Sequence, residues 1–236
     1  MTPELLTRSE AIWSAVVRGG PVLVVLVGIS LLGLTIFLLK LYQFFRVRLW
    51  SRDGIDEALT ALRAGDTRSA LGRVASRPNP VARVVAAVVR GRIARVPDDL
   101  LREEVQRVGD VELAELGANL RGLETIGNLA PLLGLLGTVL GMIRAFMQLE
   151  QAGSRVDPAV LSGGIWEALL TTAVGLAIAI PVLGGLSWLE SQIDRLRSRL
   201  SDAATQALGA GVIDGGSEVS SETAASTTAR EPRHAI

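Results

Sequence analysis

Three long stretches of the sequence are apolar and contain no charged residue. They cover residues 21–39, 126–143 and 168–189. A helix needs about 20 apolar residues to cross a bilayer, and each stretch is close to that length. No other segment of the chain could bury three such helices in a soluble core, so the pattern predicts three transmembrane helices. We expect the first, over 21–45, to be a retained anchor, because its apolar run is too long for a signal peptide and no small-residue cleavage site follows it.

The distribution of arginine predicts how these helices cross the membrane. The segment 46–127 holds 14 Arg, whereas the short segment 150–162 holds one. Three more follow the third span: Arg195, Arg197 and Arg199. Arginine-rich segments usually stay in the cytoplasm. We therefore expect residues 1–20 and the loop 150–162 to be periplasmic, and the C-terminus to be cytoplasmic, in a bacterial inner membrane.

The polar segments also carry helical patterns, so the predicted fold is all-α. We interpret residues 46–97 as a cytoplasmic helical region. Pro97 with Asp98 and Asp99 is typical of a helix start, because proline fits the first turn and acids favour the positive end of the helix dipole. No proline follows before Glu124, and the helical spacing runs into the second span. One helix is therefore predicted over 98–149.

The third span also continues past the membrane. Apolar residues recur at steps of three and four after it: Leu189, Ile193, Leu196, Leu200 and Ala204. A single helix is therefore predicted over 163–210, and the second and third helices extend into a cytoplasmic helical bundle. Residues 211–236 are rich in Gly, Ser, Thr and Ala with scattered charge, and this composition predicts a disordered tail.

Composition narrows the possible functions. The 24 basic and 24 acidic residues cancel, so the net charge gives no argument for nucleic-acid binding. The chain has no cysteine and one histidine, His234, in the predicted tail. The chain therefore lacks the cysteines of a thiolate metal site and has only this one histidine for catalysis. No phosphate loop or paired carboxylates occur. We expect neither an enzyme nor a protein that holds a metal or another cofactor.

The second span has one face of small and polar residues. On a helical projection, six of them share an arc of about 80°. They are Gly127, Pro131, Gly134, Thr138, Gly141 and Ala145. Gly137 with Gly141 adds a second small-residue pair of the kind that lets helices approach closely. This face predicts either tight helix packing or the lining of a pore, and the two interpretations can hold on different edges of it.

The third span repeats this pattern beside an acidic residue. Small and hydroxyl residues share one side of it: Ala168, Thr171, Thr172, Gly175 and Ala179. Glu167 at its start is either an interface anchor or part of an ion path. Thr138 in the second span either hydrogen-bonds to its own helix or serves the path. Pro181 frees a backbone carbonyl that needs a partner, and Arg144 is expected to extend its charge towards the interface.

Two sequence blocks resemble a known family. APLLGLLGTVLGMIRAF at 130–146 and GGIWEALLTTAVGLAIAIP at 163–181 are similar to the ExbB/TolQ/MotA proton-channel family. The three-span layout resembles the ExbB and TolQ branch. The specific similarity covers roughly residues 125–205. The resemblance implies a homopentamer that encloses the single-span helices of an ExbD- or TolR-like dimer, with a TonB- or TolA-like protein as transducer.

The resemblance also implies roles for individual residues. Thr138, Glu167 and Thr172 would line the proton route. The helical projection places Thr171 nearest to Glu167, whereas the family motif favours Thr172, so Thr171 is the second candidate. Other residues would shape or pack the helices: Pro131, Gly134, Gly137, Gly141, Gly175 and Pro181. The partner helix would carry the proton on an aspartate.

The expected function is therefore an inner-membrane proton-channel subunit that converts the proton-motive force into work for outer-membrane transport or envelope maintenance. Two alternatives remain open at this point. A non-conducting scaffold would need the small faces but not Glu167 or Thr138. A solute transporter would need more polar intramembrane groups than one chain offers.

Overall fold

The computed structural model describes residues 20–49, 51, 54–152 and 158–210, and within these ranges it contains helices and no strand. The predicted periplasmic segment up to residue 19, the centre of the loop 150–162 and the predicted disordered tail 211–236 lie outside the described residues. Seven helices are described: α1 Gly20–Arg46, α2 Ile55–Arg63, α3 Thr67–Val74, α4 Pro80–Ile93, α5 Asp98–Gly117, α6 Leu120–Ala152 and α7 Pro158–Gly209.

Three helical stretches are long and apolar enough to cross a membrane. They are α1, the stretch Asp98–Gln151 whose apolar part is α6, and α7 from Leu161 to Gly209. Large apolar side chains on all three are exposed, such as Leu31 at 61% and Ile180 at 71%. A soluble protein would not leave so many apolar side chains open to water, so these surfaces suit contact with lipid.

The helical path from Asp98 towards the second span is interrupted once. The residues Ala118 and Asn119 separate α5 from α6, so the single helix expected over 98–149 is described as two. Asn119 has φ 64°, in the left-handed region that asparagine tolerates better than most residues. The backbone N–H of Gly122 then bonds to the carbonyl of Asn119 at 3.2 Å, as the next helix begins.

The chain divides into two compact units. The apolar unit comprises the chain up to Leu41 with Ala118–Glu190, and the polar unit comprises Tyr42–Gly117 with the chain from Ser191 onward. In the apolar unit, α1 contributes to a buried cluster with α6 and α7. Its members are Val22, Leu23, Leu26, Ala130, Ile178 and Ala179.

The polar unit is built from short helices that pack on their chain neighbours: α2 on α3, α3 on α4, and α4 on α5. Asn79 caps α4, because its side-chain oxygen accepts from the N–H of Val81 at 2.9 Å. Its amide nitrogen also donates to the carbonyls of Arg48 and Ser51, at 2.8 and 3.0 Å. This buried side chain therefore ties the start of α4 to the chain that follows α1.

Candidate functional site

The predicted stripe of small residues is the surface on which α6 packs against α7. A Cβ added to Gly175 would lie 2.6 Å from the carbonyl oxygen of Ala130 and 3.1 Å from the Cα of Gly134. A Cβ on Gly134 would in turn lie 2.9 Å from the carbonyl oxygen of Thr171. The two backbones therefore touch here, and only glycine fits at both positions.

The same contact continues along both helices. A Cβ on Gly137 would lie 2.5 Å from the hydroxyl oxygen of Thr171, and one on Gly141 would lie 3.1 Å from the Cβ of Ala168. Of the two interpretations that the sequence left open for this stripe, packing within the chain accounts for its glycines. The residues of the stripe that remain open to another molecule are consequently those at its edges.

Two neighbouring threonines of α7 differ in exposure. Thr171 is 1% exposed, and its hydroxyl lies 2.7 Å from the carbonyl oxygen of Ala168 and 3.4 Å from that of Gly134. Thr172 is half-buried, and its hydroxyl donates to the carbonyl of Gly134 at 3.1 Å. Thr171 therefore belongs to the helix contact, whereas Thr172 sits at its edge.

Thr138 of α6 is also half-buried at an edge of the contact. Its hydroxyl donates to the carbonyl of Leu135, one turn earlier in the same helix, at 2.6 Å. A hydroxyl has one hydrogen and two lone pairs. With the hydrogens committed to carbonyls, Thr138 and Thr172 both present acceptor lone pairs to any group that reaches them.

Glu167 is paired with Arg144. The Nη1 of Arg144 lies 3.0 Å from the Oε1 of Glu167, and the two side chains are 44% and 27% exposed. Gly20, at the start of α1, lies against this pair: a Cβ there would be 2.8 Å from the arginine Nη1 and 2.9 Å from the glutamate Oε1. Gly20 has φ 71°, so both its conformation and its surroundings favour glycine. Thus α1, α6 and α7 meet at one ion pair.

The threonines and the ion pair lie on different sides of the paired helices α6 and α7. Leu133 of α6 and Val174 of α7 pack on the cluster that includes α1. On a helical projection at about 100° per residue, Thr138 lies about 140° from Leu133, and Thr172 about 160° from Val174. By the same projection Glu167 is only about 20° from Val174. The two half-buried hydroxyls therefore face away from α1, and Glu167 faces towards it.

The two prolines predicted to shape the helices both lie inside helices. Pro131 is inside α6 and Pro181 inside α7, and both helices continue through them. The predicted route residues are not gathered at one point, since Glu167 is separate from Thr138 and Thr172. Three participants were not assigned these contacts from the sequence: Arg144, Gly20 and the carbonyl of Gly134. The sequence gives little indication of these contacts, because the partner of each residue lies far away along the chain.

Known proteins resemble a large part of this chain. A family model described as the MotA/TolQ/ExbB proton channel family matches residues 76–202, more than half of the chain. A protein of Methanothermobacter thermautotrophicus, named as a biopolymer transport protein ExbB homolog, is 30% identical over 177 residues, which are 75% of this chain and 62% of that protein. An ExbB-like biopolymer transport protein of Synechocystis is 32% identical over 188 residues, 76% of this chain and 70% of the relative.

A shorter match has higher identity. The biopolymer transport protein exbB1 of Vibrio cholerae is 39% identical over 104 residues, which are 44% of this chain and 46% of that protein. The chain therefore spans less than two thirds of the Methanothermobacter and Vibrio relatives. The family match includes all of α6 and the part of α7 that carries Glu167 and Thr172. The family expected from the sequence is thus confirmed: this membrane protein belongs to the MotA/TolQ/ExbB proton channel family.

Proposed function

We propose that the chain is an inner-membrane proton-channel subunit that works as a homopentamer around an ExbD- or TolR-like dimer. The assembly would convert the proton-motive force into mechanical work, which a TonB- or TolA-like protein would carry to the outer membrane. Residues 1–20 and the loop 150–162 would be periplasmic, and the polar unit cytoplasmic. The family membership and the names of the relatives support the general role, and the geometry below supports the details.

The observation that carries the proposal is the face formed by Thr138 and Thr172. Both side chains are half-buried at the edge of the contact between α6 and α7, on the side that α1 does not cover. Five copies arranged with this side inward would surround an axis with hydroxyl groups. The α1 helices and the exposed leucines would then face lipid, which suits their composition.

The hydrogen bonds of the two threonines favour one form of a guest carboxyl group. Thr138 donates to Leu135 and Thr172 donates to Gly134, so each hydroxyl can accept a further hydrogen bond without breaking the one it makes. A protonated carboxyl group or a water molecule can donate to these lone pairs. A carboxylate cannot donate, and its lone pairs would be repelled. The face formed by Thr138 and Thr172 would therefore hold the partner's aspartate while that aspartate is protonated.

This preference gives the proton a mechanical effect. When the aspartate of the guest helix loses its proton towards the cytoplasm, it no longer matches the threonine face that held it. The electrical part of the driving force is about 2.3 kcal/mol per charge for each 100 mV. Five equivalent threonine faces surround only two guest helices, so they cannot all bind a guest aspartate at the same time. Each protonation cycle would therefore shift or rotate the guest relative to the pentamer.

The contacts of Glu167 favour a positioning role over direct proton transfer. Its carboxylate is held by Arg144 beside the start of α1, away from the two half-buried threonines. We propose that this pair fixes the periplasmic ends of α1, α6 and α7 relative to one another. This refines the expectation from the family resemblance, which placed Glu167 on the proton route itself.

Proton flux in vesicles tests the proposed function. The chain would be co-reconstituted with its ExbD- or TolR-like partner, and an imposed potential would drive uptake recorded by a pH-sensitive dye. The double variant Thr138→Val with Thr172→Val should assemble normally and lose flux, because the acceptor groups are gone while the volume is kept. Thr35→Val is the matched control, since Thr35 donates to Leu31 at 2.7 Å on the exposed surface of α1.

The control variant should conduct like the unchanged protein. Full flux and full energised transport by the double variant would contradict the channel mechanism. If the unchanged chain assembled normally with the partner but the complex conducted no protons, the alternative of a non-conducting scaffold would be favoured instead.

A further inference from the structure

The polar unit contains a groove that the proton path does not use. It has a volume of about 830 Å³ and lies between α4 and α5, closed at one end by the residues that follow α3. Small and apolar side chains form its floor, among them Ala86, Ala87, Gly91, Leu101 and Val108. Arginines and glutamates form its rim. We call this surface the arginine groove.

The charges at the rim do not cancel. Glu112 accepts from Arg83 at 2.8 Å, and Glu104 accepts two hydrogen bonds from Arg107 at 2.6 and 2.7 Å. Arg107 thereby holds the pKa of Glu104 below its ordinary value, so this carboxylate stays neutralised by its own partner. Both acids of the groove thus already have an ion-pair partner within the groove.

Two arginines of the groove have no ion-pair partner among the residues that the structure describes. Arg77 uses its Nε to bond the carbonyl of Arg73 at 2.8 Å, which does not neutralise its charge. Arg90 is exposed and has no ion-pair partner in the part of the chain that the structure describes. The groove therefore combines an apolar floor with an excess of positive charge, and it fits an acidic segment that also carries apolar residues.

The end of α7 contacts α4, which forms one side of the groove, on another face of that helix. The guanidinium of Arg92 donates to the carbonyl of Leu208, close to the last residue of α7, and Arg92 is adjacent to Gly91 on the groove floor. Residues 211–236 continue from this point. At about 3.3 Å per extended residue, about four of them suffice to pass a helix of roughly 10 Å diameter.

The first part of that continuation has the required chemistry. Residues 212–222 are VIDGGSEVSSE, with three acids, three apolar residues and no basic residue. We propose that this segment docks in the arginine groove of its own chain. Residues 211–214 would pass the helix, so Glu218 and Glu222 would meet Arg77 and Arg90, and Val219 would cover the alanine and glycine floor. A low-complexity segment can gain order on such a surface when charge and apolar contacts act together.

Cysteine cross-linking in the full chain tests this proposal directly, because the chain has no native cysteine. Ala87→Cys on the groove floor would be combined with Ser217→Cys in the segment, and a flexible bismaleimide would join them. Gly72→Cys with Ser217→Cys is the control pair, since Gly72 lies on α3 outside the groove with open space around it. We expect a cross-link within one chain for the first pair, at about fivefold the yield of the control pair.

Charge variants then identify the contact. Arg90→Glu should lower the cross-link yield by about fivefold, and so should 0.5 M salt, because both weaken the attraction of separate charges. Arg68→Glu, an exposed arginine of α3 outside the groove, should leave the yield unchanged. Equal yields for the two cysteine pairs, or cross-links that form only between two chains, would overturn the proposal.

A second measurement changes no residue of the groove. Hydrogen exchange of α4 and α5 would be compared between the unchanged chain and the triple variant Asp214→Asn, Glu218→Gln and Glu222→Gln. Exchange at the rim should rise in the variant, because the segment leaves the groove. Unchanged exchange would overturn the docking even if the cross-link formed. Neither result depends on proton conduction.

Discussion

Gly134 and Gly175 face each other at the contact of α6 and α7, so closely that a Cβ on Gly175 would lie 3.1 Å from the Cα of Gly134 and 2.6 Å from the carbonyl oxygen of Ala130. Both obstacles are backbone atoms of a helix, which cannot turn aside as a flexible side chain can. The distance between α6 and α7 is therefore set by the absence of two side chains.

Gly175→Ala should consequently separate the two helices and lower the stability of the apolar unit. Overpacking of this kind costs about 1–3 kcal/mol, and the loss should appear as a lower melting temperature in detergent. Gly184→Ala is the matched control on the same helix, because a Cβ there has no neighbour within 4 Å. If the Gly175→Ala protein had the same melting temperature as the control, the helices would not approach closely at this point.

Thr171 and Thr172 should respond differently to the same substitution. Thr171→Val removes a buried hydroxyl from the helix contact, so we expect a loss of about 1 kcal/mol of stability and normal proton flux. Thr172→Val removes an acceptor at the half-buried edge. If that acceptor contributes about 1.4 kcal/mol to holding the proton-carrying group, flux should fall about tenfold at little cost in stability.

Thr172→Ser should restore the flux, because serine keeps the hydroxyl that bonds to Gly134. Melting temperature and dye-recorded flux, measured on the same preparations, separate the two threonines. The opposite outcome, in which only Thr171→Val stops conduction, would place the proton route inside the contact of α6 and α7.

The sequence predicted the apolar helices well because each depends on residues close to one another in the chain. The start of α5 at Asp98 follows from Pro97 and two acids in the first turn, as the sequence indicated. The interruption at Asn119 was not predicted, because no proline marks it and asparagine is compatible with a helix. Such a local conformation depends on what surrounds the residue in the folded chain.

The candidate site was predicted only in part, for a similar reason. A helical projection places residues around one helix but does not say which neighbouring helix each face contacts. It grouped Thr171 with Glu167, whereas in the structure Thr171 is buried against α6 and Glu167 is paired with Arg144, 23 residues earlier in the chain. The family motif distinguished Thr172 from Thr171, and in the structure the two side chains differ in exposure. The roles of the two residues stay a prediction.

The cap of α3 gives the polar unit a predictable dependence on pH. The carboxylate of Asp66 accepts from the N–H of Ser69 at 3.0 Å, and hydrogen bonds from Ser69 hold the pKa of Asp66 below its ordinary value of 3.8. Because the pKa is lowered in the folded state, the stabilisation is complete above 3.8 and is lost as the pH falls through the folded-state value.

Asp66→Ala should therefore melt at a lower temperature than the unchanged chain at pH 6, and the difference should shrink as the pH falls below 3.8. Thermal unfolding followed by circular dichroism over this range measures it. Asp56→Ala removes an exposed acid from the first turn of α2 and is the control for the loss of a carboxylate. A difference that stays constant down to pH 3 would contradict the role of the charged cap.

The ion pair of Arg144 and Glu167 allows a test by exchange of charge. Glu167→Gln and Arg144→Gln should each loosen the meeting point of α1, α6 and α7, at a cost of about 1 kcal/mol for a pair that is partly exposed.

The double variant Arg144→Glu with Glu167→Arg keeps both charges in contact. If the pair positions the helices, the exchange should restore both the melting temperature and the proton flux. If Glu167 instead passes protons itself, the double variant should regain stability and stay inactive, because an arginine stays protonated and cannot relay a proton. Flux and melting temperature measured together on the three variants therefore decide between a positioning residue and a residue of the proton route.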